Sequence, residues 1–132
     1  MRMDWQKLYW EADKWVSHLS FYEDELRFLE KLLDRYFEDM VQHQNLDEIR
    51  EEVIRLQDLK YSCAKLLANM RKHRYQLALG IDKKDAKPNM TQQAHVRLQK
   101  SFQGFTLGFT TTKKEIQNMT KELMENSKQI GL

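Results

Sequence analysis

A chain of 132 residues with 41% apolar and 32% charged side chains holds one domain's worth of core beneath broad solvated faces. Four glycines and one proline allow too few turns for an all-β fold, and without an apolar run of ~18 residues no helix spans a membrane. The net charge of +2 and a pI near 8.6 are modest beside those of dedicated nucleic-acid binders. Cys63 is the only cysteine, so no internal disulfide forms. The start of the chain lacks the apolar stretch of a signal peptide, so a cytoplasmic protein is expected. The Asn-x-Thr triplets at Asn89 and Asn118 are then read as chance.

The first predicted element is a helix over residues 4–42. Trp5, Leu8, Ala12, Trp15, Leu19, Tyr22, Leu26, Leu29, Leu33, Tyr36 and Met40 recur at alternating three- and four-residue steps. That spacing lays them on one helix face as a seam about 53 Å long, which other helices must cover. Tyr9, Val16, Leu32 and Phe37 widen the stripe, as suits a helix that touches two neighbours. Trp10, Phe21 and Phe28 lie off the seam, within ~20° of one another on the outward side. Three aligned outward aromatics point to an interface with a protein partner or a second copy, hence to a homo-oligomer. Glu11, Glu23, Glu25 and Glu30 read as a solvated face.

Gln42, His43, Gln44 and Asn45 interrupt the apolar pattern. Asn45 with Glu48 reads as a capping box opening a second helix over residues 46–79, and Asp47, Glu48, Glu51 and Glu52 suit its N-terminal dipole. Its seam is Leu46, Ile49, Val53, Leu56, Leu59, Cys63, Leu66, Met70, His73 and Leu77, with Leu67 and Arg74 offering a shifted register. The two consecutive three-residue steps between Val53 and Leu59 form a stammer. Cys63 falls on the seam as a small apolar filler.

Gly80 is expected to end the second helix, with a loop from Ile81 to Pro88. Asn89 with Gln92 suggests a capping box for a third helix over residues 89–129. Its seam reads Ala94, Leu98, Phe102, Phe105, Phe109, Thr112, Ile116, Met119, Leu123 and Ile130. Gly104 and Gly108 each cost ~1 kcal/mol against Ala, so a kink there is the alternative to a continuous rod. Ser101, Gly104, Gly108 and Thr111 form a small-residue stripe, read as close packing inside the bundle. Short connections make consecutive helices antiparallel. The expected fold is all-α, an elongated up-down-up three-helix bundle in a single domain. Its length and plan resemble small bundle modules such as spectrin-like repeats in architecture, and no motif carries a family's function onto these positions.

Charge is unevenly distributed. Residues 1–59 carry 8 basic and 15 acidic side chains, whereas residues 60–114 carry 12 and 2. Folded antiparallel, the end holding the long loop is expected near +10 and the opposite end near −8. Arg71, Lys72, Arg74, Lys83, Lys84, Lys87, Arg97 and Lys100 form a basic end suited to nucleic acid or another polyanion. Such charges also keep a bundle soluble and complement helix dipoles, which accounts for those on the second helix.

His18, His43, His73 and His95 show neither Glu-x-x-His pairs nor zinc-ligand spacing, so no metal is expected. No phosphate-binding loop, nucleophile elbow or dinucleotide fingerprint occurs. No catalytic residue, cofactor or small-molecule substrate is implied. The sequence reads as a non-enzymatic helical module for protein interaction or assembly, with polyanion binding at the basic end as the alternative.

Overall fold

The computed structural model describes residues 4–82 and 87–129, with side chains through Glu125. Three helices run Trp5–His43 (α1), Leu46–Ile81 (α2) and Pro88–Gln129 (α3), and every pair packs together. Only Gln44 and Asn45 separate α1 from α2, so the two must run antiparallel. This is the expected all-α, up-down-up bundle. Among the described residues, no helix is long and apolar enough to cross a membrane.

The ends of α1 and α2 follow local chemistry. Asp4 opens α1 by accepting from the Lys7 backbone N–H at 3.1 Å. Asn45 opens α2, its side-chain oxygen accepting from the backbone N–H groups of Asp47 and Glu48 at 2.8 and 3.4 Å. Gln44 ties this connection to α3 by donating from Nε2 to the Met119 carbonyl at 3.0 Å.

All eleven seam positions of α1 are buried or half-buried. Leu19, Leu26, Leu29 and Met40 meet Ile49, Cys63, Met70 and Leu77 of α2 and Ile116 of α3 in one continuous core. Both registers proposed for α2 contribute, since Leu67 is buried and Arg74 half-buried. An aromatic layer crosses the middle: Tyr22 lies 4.5 Å from Phe109 and 5.8 Å from Phe105 between ring centroids, and Trp15 lies 6.1 Å from Phe102.

Several expectations are corrected. The second helix does not stop at Gly80; it continues to Ile81 and is capped at Asp82. Gly80 instead lets Trp5 pack against the α2 backbone, because a Cβ built there would overlap the indole ring. The third helix begins at Pro88, with Asn89 inside its first turn rather than capping it. Proline suits that first position because it lacks an N–H that would go unbonded there. α3 is unbroken through Gly104 and Gly108, because tertiary packing of Phe105, Phe109 and Thr112 offsets their poor propensity. The small-residue stripe is not tightly packed: a Cβ at Gly104 would meet nothing within 4 Å, and one at Gly108 would touch Leu59 at 3.6 Å. Leu46 is exposed at the rim of the bundle rather than seated in the seam. Ile130 lies outside the described residues.

These contacts give glycine substitutions opposite signs. Gly104→Ala should raise stability by about 1 kcal/mol, gaining helix propensity without a clash. Gly80→Ala should lower it by about 1–2 kcal/mol as Trp5 is displaced. Urea denaturation monitored by far-UV circular dichroism measures both.

Candidate functional site

The outer face of α1 carries the largest unpartnered apolar side chains predicted for partner binding. Trp10, Phe21 and Phe28 are 71%, 57% and 58% exposed. Eighteen residues separate the first from the last, so the stripe extends about 27 Å along the helix. Trp10 borders a surface hollow lined also by Gln6, Lys7, Tyr9 and Lys14. The α1 seam buries the opposite side of the helix, and this geometry turns the stripe outward.

The basic end is only partly assembled as expected. Arg71, Lys72, Lys87, Arg97 and Lys100 are exposed. Among the described residues, no acidic side chain reaches ion-pair distance of these five. Arg74 departs from the set: its Nη1 donates to Asp13 Oδ1 at 2.9 Å across the α1–α2 interface. Lys83 and Lys84 lie outside the described residues. The end-to-end polarity is also shallower than expected. Among described side chains, the half nearer the α2–α3 connection carries nine basic and six acidic groups, against nine and thirteen in the other half. Arg2, Lys83, Lys84 and Asp85 lie outside this count, and helix lengths account for the rest of the difference, because Lys60 falls before the middle of α2, Lys113 and Lys114 fall past the middle of α3, and Glu23 and Asp24 fall before the middle of α1.

Two polar clusters inside the bundle had no signature in the sequence. In the first, His95 of α3 is 3% exposed and sits against Trp15, ring centroids 4.6 Å apart. Its Nδ1 lies 2.8 Å from His73 Nε2 on α2, and its Nε2 lies 2.8 Å from Glu11 Oε2 on α1. His95 Nε2–H donates to the Glu11 carboxyl, and a second hydrogen bond joins the His95 and His73 rings through Nδ1 and Nε2. Burial, then His95, then Arg97 push His73 down to about 4, so it is neutral near pH 7. In the second cluster, Glu52 of α2 is 5% exposed. Arg55 Nη1 bridges Glu52 Oε1 at 2.6 Å and Glu115 Oε2 at 3.1 Å. Burial and the neighbouring Glu115 carboxyl outweigh Arg55 and raise Glu52 to about 7.

Of the four acidic residues of α1 read as a solvated face, Glu23 pairs only with exposed Arg27 on the same helix, as expected, and the other three are drawn inward. Glu11 binds His95, Glu25 pairs with Lys113 at 3.1 Å, and Glu30 pairs with Lys60. Cys63 is buried as expected; its Sγ donates to the Leu19 carbonyl at 3.4 Å, and burial pushes the thiol up to about 11. Among the described residues, no group of three or more His, Cys, Asp or Glu could hold a metal ion. An open groove between α2 and α3 is lined by Leu59, Ser62, Gly104, Gly108 and Thr111, with exposed Leu107 at its edge.

A scan against protein-family models, a search of curated proteins and a search of solved structures give no match to this chain.

The two clusters titrate in opposite senses. The depressed His73 costs stability as pH falls from 6.5 through about 4, because the unfolded chain binds the proton more readily. The raised Glu52 costs stability as pH rises from 4.5 through about 7, because the folded chain holds the proton more tightly. Over pH 4.5–6.5 the two oppose each other, and the wild type should be nearly flat. Glu52→Gln should uncover the histidine, with stability rising by about 3 kcal/mol from pH 4 to pH 7. Denaturation midpoints across that range test the slope.

Proposed function

We propose that this chain is a non-enzymatic helical interaction module that offers the outer face of α1 to a protein. The observation that carries this reading is the alignment of Trp10, Phe21 and Phe28, each more than half exposed, on a helix whose seam positions are all buried or half-buried in the core. The polar clusters support it from another direction. Glu11, His95 and His73 join three helices, Arg55 joins Glu52 on its own helix to Glu115 on α3, and the one thiol is buried and held protonated. A cytoplasmic setting suits that reduced, buried thiol.

The second reading, binding of nucleic acid or another polyanion, is favoured by the exposed Arg71, Lys72, Lys87, Arg97 and Lys100. Arg74 contributes less to it because Asp13 already neutralises that guanidinium.

Affinity capture with wild type, Phe21→Glu and a combined Arg71→Glu, Lys72→Glu, Arg97→Glu variant separates the two. Under the first reading, stoichiometric binding of a defined protein is lost with Phe21→Glu and kept in the charge-reversed variant. Under the second, nucleic-acid binding is lost in the charge-reversed variant alone. Binding should then fall about tenfold or more between low and physiological salt. Protein binding indifferent to Phe21→Glu would overturn the first reading.

A further inference from the structure

Six consecutive positions of the outer α1 face read Trp10, Lys14, Ser17, Phe21, Asp24 and Phe28, and all six are exposed. Their steps of four, three, four, three and four are symmetric about position 19. We propose that this face is the interface of a homodimer in which α1 packs antiparallel against α1 of a second copy, on a two-fold axis at that position. The proposal rests on the interaction-module reading and names its partner.

An antiparallel pair on that axis places residue i opposite residue 38 − i. Trp10 then meets Phe28, Lys14 meets Asp24, and Ser17 meets Phe21. Large apolar faces large apolar, positive faces negative, and small faces large. Each pairing occurs twice, as an isologous interface requires. Phe28 of the second copy projects toward the hollow bordered by Trp10 and Lys14. Lys14 has no acidic partner among the described residues. Asp24 is engaged only by Arg27 at 3.3 Å, an exposed pair that holds it weakly.

Other arrangements are worse on the same residues. A parallel pair sets Lys14 on Lys14 and Asp24 on Asp24. Sliding the antiparallel pair one heptad toward the C-terminus sets Trp10 against Arg35 and Phe21 against Asp24, charge against large apolar side chains. Sliding it the other way leaves Phe28 past the first turn of α1. Of these arrangements, only the symmetric register sets Trp10 on Phe28 and joins Lys14 to Asp24; at its two ends it also brings the exposed Lys7 and Lys31 face to face, where solvent screens them.

Sedimentation equilibrium of the full chain over a concentration series tests the dimer, and zero-length carbodiimide cross-linking tests its register. A reversible dimer is expected, with a Lys14–Asp24 isopeptide found by peptide mass spectrometry. Those residues lie about 15 Å apart within one helix, so that link forms only between copies. Trp10→Asp should weaken the dimer roughly thirty-fold or more. Lys14→Asp and Asp24→Lys should each weaken it roughly tenfold, and the double variant should restore it. All these positions are exposed, and an unchanged circular dichroism spectrum confirms folding. A monomer at every concentration overturns the homodimer while leaving a different protein partner for the same face. A dimer insensitive to Trp10→Asp, or lacking the cross-link and the charge rescue, overturns the interface.

Discussion

A helix of 39 residues that is apolar along its whole length can be sheltered only by helices of comparable length. This constraint organises the molecule. The α1 seam must be covered from Trp5 to Met40, and α2 with 36 residues and α3 with 42 are matched to that task. With only two residues between α1 and α2, the chain has no alternative to an immediate antiparallel return. Local details are subordinate to this covering requirement. Gly80 is retained inside a helix because Trp5, the first seam residue, needs the space a side chain would occupy. Gly104 and Gly108 are tolerated inside another because the aromatic residues beside them are already committed to the core.

Long apolar seams alone do not select a register, since one turn of slip still sets apolar against apolar. The buried polar groups do. Glu11, His95 and His73 come from three different helices and satisfy one another in a single chain of hydrogen bonds. A slip of one turn would strand an imidazole in an apolar layer beside Trp15, at a cost of several kcal/mol in desolvation. Glu52, Arg55 and Glu115 make the same demand between α2 and α3. Their opposite responses to acid mean that this specificity comes with little net pH dependence between pH 4.5 and 6.5.

With the core committed, the exposed apolar side chains of α1 are a surplus that the fold does not use. Their symmetric order along one face, with Lys14 and Asp24 at matching distances from its centre, is the basis of the proposed pairing of α1 with a second copy. The basic residues at the α2–α3 end are arranged differently. They spread over two helices, and the member nearest the core, Arg74, has turned inward to Asp13.

Helix number, length, order and the outward turn of Trp10, Phe21 and Phe28 were legible in the sequence, because three- and four-residue spacing is a property of one helix and needs no knowledge of its neighbours. The buried clusters were not. His95 adjoins the seam residue Ala94, and nothing near it in the chain announces that Glu11 and His73 will satisfy it from two other helices. Glu52 read as a dipole-compensating residue of a first turn, and Arg74 as a free cation, until Glu115 and Asp13 were brought beside them. The same limit explains Asn89, Gly80 and the small-residue stripe, where a local rule was outweighed by what packs, or fails to pack, against the position. Periodicity along the chain decided which face of each helix is apolar, because burial of a stripe depends on the stripe alone. Tertiary structure decided which polar groups are satisfied, because a hydrogen bond or ion pair depends on a partner whose distance the sequence does not contain.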